Sequence, residues 1–92
     1  MLELKFTSKF KKDYKRIKKQ GLNVDELREV LDRLCHQETL PSKMHDHPLT
    51  GNYAGHRECH IEPDWLLIYR VDDKMLVLTA VRTGSHSELL NM

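Results

Sequence analysis

Glycine (four residues) and proline (three) are scarce and never cluster into a linker or low-complexity tract, so the 92 residues read as one domain spanning 1–92. Aromatic residues make up only 7% of the chain, which leaves no aromatic-rich face for gripping single-stranded nucleic acid unaided. There are just two cysteines, Cys35 and Cys59, and no Cys-x-x-Cys, which excludes a disulfide scaffold; both read as reduced packing residues. No apolar run approaches the roughly 20 residues needed to cross a bilayer. Met1–Phe6 lacks the apolar stretch of a signal peptide, so cytoplasmic residence is the expectation, with no membrane partner. Also missing are the His-Glu-x-x-His pattern of zinc proteases and the Gly-x-Ser-x-Gly elbow of serine hydrolases.

What is present is a charge imbalance and a concentration of histidine. The formal net charge is +1, yet residues 1–22 carry a net +6 and the remainder −5. Lys11, Lys12, Lys15 and Lys18 lie in the basic part, which reads either as a solvated helix face or as a surface for phosphate. Three of the six histidines fall one each in three marked segments: Asp46-His47-Pro48-Leu49-Thr50-Gly51, Arg57-Glu58-Cys59-His60-Ile61-Glu62-Pro63-Asp64-Trp65 and Arg82-Thr83-Gly84-Ser85-His86.

Leu2, Leu4 and Phe6 alternate with charged residues, as in a short half-buried strand. Thr7 or Ser8 can cap a helix to about Gln20, with Phe10, Tyr14 and Ile17 on one stripe and Gly21 at its left-handed end. Asn23 and Glu26 resemble a reciprocal cap for a second helix, whose stripe of Leu27, Val30, Leu31, Leu34 and Cys35 ends near Gln37. The two helices form an antiparallel hairpin. A polar loop carrying His45 and His47 follows, then strands at roughly 53–61, 65–71 and 75–82. Trp65–Tyr69 and Met75–Leu78, apolar on both faces, mark the sheet's centre. The fold class is α+β, with an N-terminal strand and a two-helix hairpin packed on a largely antiparallel sheet.

Strand alternation puts His56, Glu58 and His60 on one face and Arg57, Cys59 and Ile61 on the other. A His-Glu-His row is not apolar core; it is a solvated face or a site. Asp64 lies past the next turn, His86 after the last strand, and His47 on the loop that could close the group. Cleavage of RNA by its own 2′-hydroxyl needs a base, an acid and a cation against the phosphorane-like transition state. Imidazole, with an unperturbed pKa near 6.5, fills the first two roles near neutrality, and Arg82 offers the cation. A zinc site built from His45 and His47 with His56, Cys59, His60 or His86 is the competing reading.

The three histidine segments and the lysine-rich first helix resemble the YafQ branch of the RelE-like toxins, over nearly the whole chain. That resemblance implies a RelE-like fold and ribosome-dependent endoribonuclease activity on mRNA in the A site, by acid–base catalysis without a metal cofactor. It implies as partners the ribosome and its rRNA, mRNA, and a cognate ribbon-helix-helix antitoxin resembling DinJ, with operator DNA reached only through the antitoxin complex. Carried over by position, it makes His47, His60, Asp64 and His86 the catalytic group, with Glu58 and Arg82 handling substrate. Leu90 stands where some relatives carry an aromatic ring, leaving apolar contact without stacking. Lys11, Lys12, Lys15 and Lys18 are the expected ribosome contacts. Two other classes remain: a catalytically weak homologue that only binds RNA or antitoxin, and a small zinc-binding regulator.

Overall fold

Five strands form one mixed sheet in the order β1-β5-β4-β3-β2, in a computed structural model that describes residues 1–90. The strands are β1 (Glu3–Phe6), β2 (His47–Pro48), β3 (Arg57–Glu62), β4 (Trp65–Asp72) and β5 (Val77–Gly84). Helices α1 (Ser8–Lys19) and α2 (Val24–Cys35) follow β1, and α3 (His86–Leu90) follows β5. Only β1 pairs in parallel, against the first half of β5; every other ladder is antiparallel.

The first five residues of β4, 65–69, are buried on both faces, and their alternation separates two cores. Trp65, Leu67 and Tyr69 pack with Phe10 and Ile17 of α1 and with Leu27, Val30, Leu31 and Leu34 of α2. Leu66 and Ile68 face the other way, against Leu89 of α3 and Leu49 and Tyr53 of the β2–β3 connection. The thin second layer leaves room on its face for polar side chains from β2 and β3.

Local chemistry sets the helix ends. Thr7 caps α1, its hydroxyl oxygen accepting from the Phe10 N–H at 2.9 Å while donating to the Val81 carbonyl at 2.7 Å. Gly21 takes φ +82°, the left-handed turn that suits glycine between the two helices. Asn23 caps α2 through the Asp25 N–H, but the reciprocal contact from Glu26 does not form; Glu26 lies beside Glu62, and burial together with that carboxylate raises its carboxyl pKa.

α1 also solves a problem at the sheet's edge. β1 ends opposite Ala80, so the outer backbone groups of β5 beyond that point have no strand partner. Thr7 covers the Val81 carbonyl, the Asp13 carboxylate accepts the Thr83 N–H at 3.2 Å, and Arg16 donates to the Thr83 carbonyl at 3.0 Å. A buried acid on a lysine-rich helix is therefore part of the sheet's hydrogen bonding.

Three expectations about the strands are corrected. β3 begins at Arg57, not 53, because Gly51–Tyr53 winds into a 3-10 turn. Met75 and Leu76 are not sheet core: they are 71% and 56% exposed at the β4–β5 turn, where Asp72 accepts the N–H groups of Lys74 and Met75. Phe6, expected on the buried side of a half-buried strand, is 43% exposed and stacks on Phe10 at 5.2 Å.

Candidate active site

The ladder registers bring the site together. His47 pairs with Glu58, Glu58 with Ile68 and Ile68 with Arg82, forming one row across the sheet; His60, Leu66 and Gly84 form the next. Paired residues share a face, so His47, Glu58 and His60 stand together on the side away from α1 and α2. His56 precedes β3 and is not in this row; its ring meets Tyr53 edge-on at 5.7 Å.

Glu58 is the centre of the group and is 3% exposed. Its Oε1 lies 3.7 Å from His47 Nε2 and 3.5 Å from His60 Nε2. Its Oε2 is buried with no hydrogen-bond partner among the described residues. A buried carboxylate left half unpartnered is costly outside a site that uses it. His86, the first residue of α3, brings its ring to 5.4 Å from that of His60, edge to face. Its Nδ1 lies 3.5 Å from Oδ1 of Asp64, a residue whose side chain is 78% exposed on the β3–β4 turn.

His47 owes its placement to its neighbours. Its Nδ1 donates to the His45 carbonyl at 2.5 Å, which directs Nε2 toward Glu58. Asp46 ties this loop to the sheet by accepting from the Tyr69 hydroxyl at 2.6 Å and from Arg57 Nε at 3.2 Å. β2 was unforeseen because two residues carry no periodicity. His45, outside the expected catalytic group, holds a left-handed backbone (φ +48°) and sets its ring 5.5 Å from that of His60. The sequence signal for both was the run His45-Asp46-His47, an acid between two histidines opposite Arg57.

Arg82 is on the site face but does not point into the group. Its Nε and Nη2 bind the Asp13 carboxylate at 2.6 and 3.1 Å around the outer edge of β5, and two strand spacings, about 10 Å, separate its backbone from that of Glu58. The free cation expected there is thus half of a structural ion pair. Leu90 ends α3, and its side chain lies outside the described residues. Lys11, Lys12, Lys15 and Lys18 are all exposed, without carboxylate partners among the described residues.

Chemically, the group offers three imidazoles, each beside a carboxylate, on an open face. Glu58, His60 and His86 present ligand atoms that all lie within 4.8 Å of one another, so these three could also hold a divalent ion. Cys59 cannot join them: it faces the other core, and burial pushes its thiol up to about 12.

Comparison with known proteins agrees along the full length. The family described as bacterial toxin of type II toxin-antitoxin system, YafQ, matches residues 2–91. The mRNA interferase toxin YafQ of Escherichia coli K12 is 35% identical over 88 residues, covering 95% of this chain and 94% of that protein. A metal-bound toxin from Helicobacter pylori superposes with a TM-score of 0.92 at 41% identity, covering 98% of this chain and 100% of that one. YafQ in the E. coli DinJ-YafQ complex gives 0.88 at 34% identity, covering 98% and 99%. Fold, motif order and family match coincide: the chain belongs to the YafQ family of type II toxin–antitoxin toxins.

Proposed function

We propose that this chain is an mRNA interferase, a ribosome-dependent endoribonuclease whose active site is the histidine group around Glu58. The observation that carries the reading is the convergence of His47, His60 and His86 beside Glu58 and Asp64 on one open sheet face. One imidazole takes the proton of the 2′-hydroxyl as its oxygen bonds to the adjacent phosphorus. The bond from phosphorus to the 5′-oxygen breaks, and an imidazolium protonates that oxygen. The products are a 2′,3′-cyclic phosphate and a 5′-hydroxyl. Because Arg82 is engaged by Asp13, charge on the transition state falls to the imidazolium groups. The site of action is the cytoplasm, where ribosomes are.

The name of the E. coli relative, an mRNA interferase, and its complex with the antitoxin DinJ support the same activity and an antitoxin partner here. The surface suited to that partner lies away from the histidines. It is a groove of about 630 Å³ lined by Leu4, Phe6, Phe10, Tyr14, Leu27 and Leu31, beside the unpaired edge of β1. Lys11, Lys15 and Arg28 border it, which fits an amphipathic antitoxin segment with acidic flanks.

Primer extension on mRNA from cells expressing the protein tests the activity. Cuts in phase with the reading frame, abolished in His86→Ala, support it; uncut or randomly cut mRNA overturns it.

A second reading concerns regulation by metal. Two imidazoles and a carboxylate within 4.8 Å suit zinc or copper, and the H. pylori relative was crystallised metal-bound. A metal on Glu58, His60 and His86 occupies the lone pairs that proton transfer requires, so stoichiometric zinc should inhibit cleavage and a chelator should restore it.

A further inference from the structure

By sequence, Arg16 is one of the eight basic residues in the first 22, indistinguishable from the lysines around it. The structure separates it from them. Its Nη1 lies 2.8 Å from Asp13 Oδ1, its Nη2 donates to the Thr83 carbonyl at 3.0 Å, and its Nε lies 3.0 Å from Glu88 Oε2. All three nitrogens turn inward, toward the end of β5 and α3.

α3 has five residues, too few to be stable alone, and begins with His86. Among the described residues its apolar anchorage is Leu89, packed on Leu66 and Ile68. Glu88 supplies the rest. Its Oε1 accepts the Ser85 N–H at 2.9 Å and the Ser85 hydroxyl accepts the Glu88 N–H at 3.3 Å, a reciprocal cap around His86. Its Oε2 faces Arg16 and accepts from Gln20 Nε2 at 3.3 Å, so α1 grips the helix that carries the histidine. The grip has a firm base, since Asp13 is 2% exposed and is held by Arg82 and the Thr83 N–H. Even the turn before α3 is shaped around it: a Cβ on Gly84 would come 2.5 Å from Arg16 Nη2.

We propose that Arg16 and Glu88 are positioning residues that fix His86 against His60, an inference that rests on the histidine group being the active site. Neither touches substrate. They act because a displacement of about 1 Å in a proton-transfer group can cost up to about 10²-fold in rate.

The test is steady-state cleavage of mRNA in programmed ribosomes by the full-length protein and its variants, with folding checked by circular dichroism. Glu88→Ala should lower kcat about 10-fold and leave KM for the ribosome complex unchanged. Glu88→Gln, whose single amide oxygen can still accept from the Ser85 N–H but whose NH2 replaces the oxygen that faces Arg16, should recover part of that loss. Arg16→Ala should lower kcat as well, and the double variant should lose less than the product of the two single losses, because both remove the Arg16–Glu88 contact. The ring signals of His86 in NMR spectra of Glu88→Ala should shift as well. Wild-type kcat in folded Glu88→Ala, a loss confined to KM, or failure of Glu88→Gln to recover any rate would overturn the proposal. If Arg16→Ala does not fold, the two Glu88 variants decide the matter alone. His86→Ala separates the two layers: full activity there overturns the active-site reading itself, whereas its loss beside unchanged Glu88→Ala overturns only the positioning role.

Discussion

At the scale of single residues, two buried carboxylates carry most of the meaning, and they do opposite things. Glu58 has one oxygen between two imidazoles and one with no partner among the described residues, an arrangement that stability alone does not favour. His47→Ala, His60→Ala and His86→Ala should each reduce ribosome-dependent cleavage by about 10²–10⁴-fold in single-turnover assays while thermal melting stays cooperative. Wild-type rates in all three would place the chemistry elsewhere. Asp13, by contrast, is fully satisfied. Burial by itself raises its carboxyl, but hydrogen bonds from Arg82, the Thr83 N–H and Arg16 outweigh it, so its pKa lies below the ordinary 3.8. A carboxyl depressed in the folded state contributes stability above its unfolded value and loses it as pH falls through the folded one. Asp13→Ala, which leaves Arg82 without its partner, should cost about 3 kcal/mol in urea unfolding at pH 7. The gap to wild type should narrow as the pH drops below about 4, and a gap independent of pH would contradict the assignment.

At the scale of elements, legibility followed length and periodicity. α1 and α2 were readable to within a residue or two because twelve-residue stripes of Phe10, Tyr14 and Ile17, and of Leu27 through Cys35, leave one solution. β2 was invisible, since His47–Pro48 is a strand only by virtue of β3 beside it. Met75 and Leu76 misled because apolar character suggested core, whereas the β4–β5 turn puts them in solvent. The site was half legible for the same reason. Strand alternation aligned Glu58 with His60, but nothing local announced that α1 would have to complete the edge of β5 and thereby draw Arg82 onto Asp13. Gly84 is the hinge of that arrangement, with φ +152° and no room for a side chain beside Arg16. Gly84→Ala should therefore destabilise the fold by about 1–3 kcal/mol and lower cleavage further by disturbing α3; a neutral melting temperature would show that the guanidinium yields. On the groove side, Phe6→Asp should weaken antitoxin binding at least 10-fold in calorimetry, since Phe6 is exposed and stacked on Phe10, while cleavage without antitoxin stays at the wild-type rate.

For the whole molecule, the division of labour explains why cleavage should depend on the ribosome. On the proposed reading the histidine group provides proton transfer, yet little around it can hold single-stranded RNA: the chain is 7% aromatic, and Arg82 is tied to Asp13. Alignment of the 2′-oxygen with the phosphorus and the leaving oxygen must come from outside, and such alignment can supply several kcal/mol of barrier reduction. The exposed Lys11, Lys12, Lys15 and Lys18 offer sequence-independent attachment to rRNA, which would present the site to a codon already bent in the A site. Cleavage of ribosome-bound mRNA should therefore be fast and cleavage of the same RNA in free solution slower by orders of magnitude. Replacing all four lysines with glutamate should raise KM for ribosomes, flatten the salt dependence of binding and leave thermal stability nearly unchanged, because these side chains make no ion pairs among the described residues. Equal rates on free and ribosome-bound RNA would mean that the site aligns its substrate unaided. Unchanged affinity and salt slope in the charge-reversed variant would reduce the lysines to a solvated face.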